Sequence, residues 1–165
     1  DQSKGHELWE ILWKAGQDLK ISAATPNIIL RLEGGILSYL ADMDRTNNPY
    51  EVGLDWMVDL DQDDDFIGKE ALREINLSGP AKKLMGAEIP GDPITAFNEE
   101  HWPVLLDRKK IGSMNALVYS PRLDKNIAYT ILDIEHAKSG QEIIISSPEK
   151  EFTAITVDLP WLERA

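Results

Sequence analysis

Cysteine is absent from the 165 residues of the sequence. Its absence excludes a disulfide framework, a thiolate zinc site and a cysteine nucleophile, and it fits the cytoplasmic location that we expect. Long apolar runs are also absent, since no stretch approaches the roughly 20 apolar residues that a membrane helix requires. The first ten residues, DQSKGHELWE, have neither the basic nor the apolar region of a secretory signal. We therefore expect no membrane partner.

Basic residues are scarce. The sequence has 17 lysines and arginines against 29 aspartates and glutamates, which gives a formal net charge of -12. A nucleic-acid surface needs a net supply of cationic side chains to release counterions from phosphates, so we expect no nucleic-acid partner. The overall charge favours neutral, zwitterionic or cationic ligands, and an anionic ligand would need a single arginine or lysine directed at it.

Metal-binding and nucleotide-binding patterns are missing as well. His6, His101 and His136 lie far apart, and none has a partner at the spacing of zinc ligands. The acidic run at 61–65 resembles the start of a calcium loop, but Phe66 stands where an EF-hand needs glycine. The sequence has no nucleophile elbow, no phosphate-binding loop and no dinucleotide fingerprint. We predict no metal site, and a solvated turn at 61–65.

Three helical patterns occupy the first half of the chain. The segment HELWEILWKA at 6–15 has apolar residues at helical spacing, and we expect Gly16 to end it in a left-handed conformation. The segment TPNIILRLEGG predicts a second helix that begins with Thr25 as its cap and Pro26 in its first turn, and that ends at the glycine pair. A strand is predicted at 57–60. A third helix follows in FIGKEALREI, before the break Ser-Gly-Pro that ends at residue 80.

Short β-rich runs fill the second half of the chain. They are separated by Pro, Gly, Asn and Asp, with no helical pattern between them. The runs span 83–89, 103–107, 109–120, 126–132, 142–146 and 151–159. The sequence therefore predicts an α+β fold with a small α/β portion over residues 1–79. An antiparallel β-barrel or jelly-roll-like domain, or a sandwich, is predicted over residues 80–165.

Arg31 is the strongest candidate for a binding residue on physical grounds. An arginine at the end of an apolar helix must be paired or directed at a ligand, because burying it alone costs several kcal/mol. The sequence leaves two interpretations open: an ion pair with Glu33 or Asp42, or a ligand contact. Tyr39 follows the glycine pair and is expected to converge with Arg31. A cation, carboxylates and aromatic residues such as Trp56 suit a planar heteroaromatic ligand with an acid tail.

Five sequence blocks resemble the glycine cleavage system T-protein (aminomethyltransferase) family, in the same order and at similar spacing. The blocks are RLEGGILSY, NNPYEVGLDWMVDL, DFIGKEAL, GSMNALVYSPRLDKNIAYTILD and VDLPW. Within the family, LSYLADMDRTNNPYE is more similar to the dimethylsulfoniopropionate demethylase branch than to the T-protein proper. The resemblance implies that 1–79 is the last portion of a folate-binding domain and that 80–165 is the C-terminal barrel domain. With its polar start and no initiator methionine, the chain is expected to be the C-terminal part of a longer protein.

The resemblance also implies a cofactor, tetrahydrofolate, and roles for four residues. Arg31 corresponds to an arginine that holds the pterin or substrate end of folate, and Tyr39 to a tyrosine that lines the same cavity. Glu51 and Trp56 match motif positions that support the cavity wall. The catalytic aspartate of the family is expected upstream, so we predict no catalytic residue here and an enzyme that is inactive as this chain alone.

Three functions are compatible with the resemblance. The first is methyl transfer from a small donor similar to dimethylsulfoniopropionate to folate. The second is aminomethyl transfer in glycine cleavage, with the lipoyl carrier H-protein as a partner. The third is a folate-binding module without catalysis.

Overall fold

The computed structural model describes residues 1–24, 27–95, 98 and 100–162. Three α-helices precede a set of six strands, so the predicted α+β class is confirmed. The helices are α1 (Gly5–Ala15), α2 (Ile28–Glu33) and α3 (Lys69–Ser78). Short 3-10 helices lie at Gln2–Lys4, Gln17–Leu19, Asp55–Met57 and Ile134–His136. The strands are β1 (Lys82–Ile89), β2 (Trp102–Leu106), β3 (Lys109–Ser120), β4 (Lys125–Asp133), β5 (Glu142–Ser146) and β6 (Glu151–Val157).

The six strands form a closed antiparallel barrel in the order β1-β4-β3-β2-β5-β6. Pairing of β6 with β1 closes it, which decides between the barrel and the sandwich. Closure leaves no unpaired sheet edge. Each predicted β-rich run coincides with one strand, within two residues at either end. The division of the chain at residues 79 and 80 stays a prediction.

The barrel interior is apolar and receives side chains from all six strands. Its buried members include Met85, Val104, Leu117, Ala128 and Ile145. These positions follow the period-two alternation of strands, which directs every second side chain inward. The stacked rings of Trp102 and Phe152, with centroids 6.1 Å apart, pack against this interior core. The buried residues of the interior all lie in strands, and Ile94 and Ala137 of the connecting segments pack against them.

A second apolar cluster lies on the outer face of β1, β3 and β4, where α2 packs. Leu32 of α2 is fully buried against Val118, Ile127 and Tyr129 of the barrel. The helix begins after Asn27, whose side chain accepts from the N–H groups of residues 29 and 30. The expected cap at positions 25 and 26 lies outside the described residues. Through α2 the first part of the chain is fixed to the outside of the barrel.

Two local predictions were wrong. Gly16 does follow α1, but its φ of -93° is not left-handed, and its lack of a Cβ serves close packing instead. A Cβ at this position would lie 2.2 Å from Cδ1 of Ile21. The strand predicted at 57–60 does not form. The N–H groups of Met57 and Val58 close turns on Leu54 and Asp55, and the segment begins as a 3-10 helix.

The apolar face of α1 is exposed. Leu8, Ile11 and Leu12 are each 57% exposed, and the rings of Trp9 and Trp13 stack with centroids 5.9 Å apart. The periodicity of the sequence correctly predicts an amphipathic helix here. None of the helices in the described ranges has the length and apolar character needed to cross a membrane.

Candidate functional site

The guanidinium of Arg31 is held on one side only. Arg31 lies in the last turn of α2, and its Nη1 forms an ion pair with Oδ2 of Asp42 and donates to the carbonyl of Ile36 at 3.3 Å. Within the described part of the chain, Nε and Nη2 of Arg31 make no hydrogen bond. The Arg31 side chain is 19% exposed. Arginine carries five N–H donors in a planar fork, so three donors stay available for an acceptor.

The turn after α2 brings the partners of Arg31 into place. Gly34 caps the helix, and Gly35 has a φ of 68°, a conformation that favours glycine. This reversal lets the N–H of Ile36 donate to the Arg31 carbonyl at 2.9 Å. The chain then loops through residues 38–43 and returns Asp42 to the guanidinium. The ion-pair interpretation of Arg31 is therefore correct for Asp42, while Glu33 bonds elsewhere.

Glu33 is buried and points toward the barrel. Its Oε1 accepts from the hydroxyl of Ser120 at 2.5 Å, and its backbone carbonyl accepts from the N–H of Leu162 at 3.2 Å. The other carboxylate oxygen, Oε2, is buried and has no partner among the described residues. Glu33 thus links α2 to the end of β3 and to the last described residue of the chain.

Asp42 is a fully buried carboxylate. Its Oδ2 accepts from the N–H of Ser38 at 2.7 Å in addition to Arg31. Its Oδ1 is buried, and in the described ranges it has no hydrogen-bond partner. The barrel holds Asp42 as well, because the side-chain amide of Asn115 donates to the Asp42 carbonyl at 2.8 Å.

Tyr129 of β4 lies beneath Arg31, and sequence reasoning missed it. The hydroxyl of this buried tyrosine is 3.2 Å from the Arg31 carbonyl and 3.1 Å from the Leu32 carbonyl. Cζ of Arg31 lies 5.9 Å from the ring centroid, and the ring of Trp161 stacks on Tyr129 at the same centroid distance. The sequence does contain a signal for this contact: a single tyrosine stands in the apolar run NIAYTIL, and a buried phenol needs a hydrogen-bond partner.

The environment of Tyr129 raises the pKa of its phenol well above the ordinary value. Burial is the main cause, because it disfavours the charged phenolate. The nearby charge of Asp42 acts in the same direction, and the cation of Arg31 acts against it. The hydroxyl therefore stays protonated and available as a donor to the backbone of α2.

The other predicted site residues lie on the segment between α2 and α3. Tyr39 is 55% exposed and forms an isolated bridge with Met43. Glu51 is buried, and its Oε2 accepts from the N–H of Asn48 at 3.4 Å, which stabilises a turn. Trp56 is 64% exposed in the 3-10 helix after that turn. In the part of the chain that the structure describes, no hydrogen bond, ion pair or ring contact joins Arg31 to Tyr39 or Glu51.

Several cavities lie against the barrel, and two of them differ clearly in character. A polar one of about 170 Å³ opens between the loop that carries Asp42 and the strands β3 and β4, with His101 and Asn115 in its lining. A larger one of about 690 Å³ lies near the Trp102–Phe152 stack, and no predicted site residue lines it. Across the described ranges, no group of three or more histidines and carboxylates is arranged to hold a metal ion.

Comparison with known proteins places this chain in a family. A family model for the glycine cleavage T-protein C-terminal barrel domain matches residues 82–163, and a model for the GCVT N-terminal domain matches residues 1–62. The chain belongs to the glycine cleavage T-protein family. The resemblance read from the five sequence blocks is confirmed.

Both branches weighed from the sequence occur among the T-protein relatives of this chain. It is 36% identical over 145 residues to the dimethylsulfoniopropionate demethylase DmdA of Ruegeria pomeroyi, an alignment that covers 88% of this chain and 39% of that protein. It is 32% identical over 161 residues to an aminomethyltransferase of Parasynechococcus marenigrum, with 98% of this chain and 42% of that protein covered. The chain thus spans about two fifths of the length of these curated relatives.

A solved T-protein structure shares the fold. The glycine cleavage system aminomethyltransferase T from Bartonella henselae superposes with a TM-score of 0.71 at 22% identity. The superposition covers 81% of this chain and 37% of that one. The likeness confirms the arrangement of a helical part beside a closed barrel.

Proposed function

We propose that this chain is part of a tetrahydrofolate-dependent enzyme that transfers a methyl group to folate from a small sulfonium donor similar to dimethylsulfoniopropionate. The observation that carries the proposal is the guanidinium of Arg31, anchored through Nη1 and still offering the donors of Nε and Nη2. The similarity to a dimethylsulfoniopropionate demethylase supports the class of donor. A cytoplasmic location belongs to the same proposal.

Arg31 suits folate in its hydrogen-bonding chemistry. Folate carries a pterin carbonyl and carboxylates, which are acceptors, and the unused donors of Arg31 match acceptors of this kind in a bidentate manner. Tyr39 and Trp56 present aromatic surfaces of the size that a planar ring packs against. Glu51 supports this region by fixing the turn before Trp56. Bound tetrahydrofolate would supply the nitrogen nucleophile that accepts the one-carbon group.

The donor itself carries the activation that the reaction needs. When the carbon–sulfur bond of a sulfonium breaks, the electron pair stays on sulfur and a neutral thioether leaves without protonation. The task of the protein is then to hold donor and acceptor in a reactive geometry, which can contribute about 7–11 kcal/mol to catalysis. The net charge of -12 is compatible with a cationic donor. We assign no catalytic residue within this chain.

Aminomethyl transfer is the second proposal, because the relative from Parasynechococcus marenigrum is an aminomethyltransferase. In that case the donor is an aminomethyl group on a lipoyl carrier, and the H-protein is a partner. The two reactions differ in the donor that must reach the folate site. A folate-binding role without transfer is the third outcome to be tested.

The test uses the full-length natural protein that contains this sequence. Binding of 5-formyltetrahydrofolate is measured by calorimetry. Methyl transfer from dimethylsulfoniopropionate and aminomethyl transfer from a loaded H-protein are then assayed with tetrahydrofolate. We expect folate binding and turnover with the sulfonium donor. Turnover with the H-protein alone would favour the second proposal, and binding without either turnover would favour the third. A protein that does not bind the folate would contradict all three.

A further inference from the structure

We infer that Asp42 is a positioning residue, which fixes Nη1 of Arg31 so that Nε and Nη2 stay directed at the ligand. The inference rests on the proposed role of Arg31 in binding folate or the donor. It extends that role to a carboxylate that the sequence offers only as a salt-bridge partner. It also assigns a role to the barrel, because Asn115 of β3 holds Asp42.

The contacts around the ion pair restrict the orientation of the Arg31 guanidinium. Asp42 is fully buried and Arg31 only 19% exposed, so water screens their attraction little. The N–H of Ser38 donates to the same oxygen, Oδ2, and fixes the carboxylate against rotation. The Ile36 carbonyl holds Nη1 from a second direction. Two acceptors on one nitrogen set the plane of the fork without using Nε or Nη2.

Backbone hydrogen bonds within the loop that carries Asp42 stabilise its conformation. Its N–H groups at Leu40 and Asp42 donate to the carbonyls of Met43 and Ser38 at 2.8 and 2.9 Å. Leu40 has a φ of 73°, a left-handed conformation that costs a non-glycine residue about 1–3 kcal/mol. The surrounding contacts must stabilise this strained backbone. Such strain is typical of segments that hold a functional group in place.

The barrel fixes the loop through a bulge. Asn115 is the extra residue in β3, because the register with β4 shifts between Met114 and Ala116. A bulge redirects the side chain of its extra residue, and here the amide donates to the Asp42 carbonyl at 2.8 Å. The hydroxyl of Ser113 donates to the amide oxygen of Asn115 at 3.1 Å, which orients the amide.

One oxygen of the buried Asp42 carboxylate is not stabilised by a hydrogen bond from any described residue. Its Oδ1 has no hydrogen-bond partner among the described residues, and a buried acceptor without a partner is costly. A charge kept in such a position indicates a requirement of the site rather than of folding.

Affinity and stability measurements on four variants of the full-length natural protein test the inference. The variants are Asp42→Asn, Asn115→Ala, Arg31→Lys and the double variant Asp42→Asn with Arg31→Lys. The control is Thr156→Val, which removes another buried side-chain hydrogen bond, to the carbonyl of Lys138. The dissociation constant of 5-formyltetrahydrofolate is measured by calorimetry and the melting temperature by circular dichroism. Asn115→Ala leaves the charges of Arg31 and Asp42 unchanged, so it tests the inference even if Asp42→Asn does not fold.

We expect Asp42→Asn and Asn115→Ala to weaken folate binding by about 10-fold or more, as expected for a misplaced charged hydrogen bond. Asp42→Asn should have no further effect on affinity in the Arg31→Lys background, because it acts through the guanidinium. Thr156→Val should lower the melting temperature and leave affinity unchanged. If Arg31→Lys weakens binding while Asp42→Asn and Asn115→Ala do not, the positioning role is wrong and the proposed function stands. If Arg31→Lys itself binds normally, the role of Arg31 in the proposed function fails, and the inference fails with it.

Discussion

The hydroxyl of Tyr129 lies 3.1 Å from the backbone carbonyl of Leu32, across 97 residues of sequence. It is also 3.2 Å from the Arg31 carbonyl, so one phenol in β4 holds the last turn of α2. The attachment of the helix, and with it the position of Arg31, depends on this contact and on the apolar cluster around it.

Tyr129→Phe should destabilise the protein without changing its fold. The substitution keeps the ring that packs beneath Arg31 and removes the donor, so the helix carbonyls lose a buried partner at a cost of about 1–3 kcal/mol. Urea unfolding at pH 7 followed by circular dichroism gives this difference. Tyr119→Phe is the matched control, since among the described residues its hydroxyl bonds only to Asp124 at the surface, and it should change stability less. Equal effects of the two variants would contradict the role given to Tyr129.

The raised pKa of Tyr129 predicts a loss of stability in alkali. In the folded protein burial keeps the phenol protonated, whereas in the unfolded chain it ionises near pH 10. The unfolded state therefore gains free energy by releasing a proton once the pH rises above about 10, and stability falls. Below that pH the contribution is fully present. The difference in unfolding free energy between wild type and Tyr129→Phe should shrink from pH 9 to pH 11, and curves that stay parallel would rule out this linkage.

Arg31→Lys should separate ligand binding from stability. Lysine retains a cation for Asp42 but lacks the planar fork, so the ion pair survives while bidentate donation is lost. We expect the affinity for 5-formyltetrahydrofolate to fall by about 10-fold or more, with a small change in melting temperature. Arg45→Lys changes an exposed arginine in the same region and should bind normally. A large loss of stability with unchanged affinity would assign Arg31 a structural role only.

A protein that begins at Pro80 should fold by itself. The apolar residues of the barrel interior all lie after residue 79, and most of them are in the six strands. Removing α2 uncovers the outer cluster around Tyr129, so the melting temperature should lie below that of the 165-residue chain. A circular dichroism spectrum of β type with a cooperative transition is expected. A disordered spectrum would show that the proposed boundary is wrong. The complementary piece, residues 1–79, serves as the control and should show no cooperative transition.

The strands were predictable because each carries a local signal. Alternating apolar residues between turn formers need no knowledge of partners, and the runs at 109–120 and 142–146 match β3 and β5 at both ends. The strand predicted at 57–60 failed because Asp59 bonds the N–H groups of residues 61 and 62, and such local side-chain bonds compete with strand pairing.

The site was predictable only in part. The sequence indicated that Arg31 needs an acceptor and named Asp42 as one candidate, which is correct. It expected Tyr39 at the same place, yet the aromatic residue that meets Arg31 is Tyr129. That contact crosses the boundary between helix and barrel, and pairing over such a distance leaves no periodicity in a single sequence.

The bulge in β3 has a consequence for insertions and deletions. Met114 and Leu117 point into the barrel, while Ala116 and Val118 point outward. Deleting Asn115 would leave every one of these side chains on its present side and would restore alternation between Met114 and Val118. The barrel would lose the hydrogen bond from the Asn98 amide to the Asn115 carbonyl, and the loop that carries Asp42 would lose the bond from the Asn115 side chain. The extra residue in β3 therefore serves the loop outside the barrel, and members of the family that lack this residue should hold their arginine in some other way.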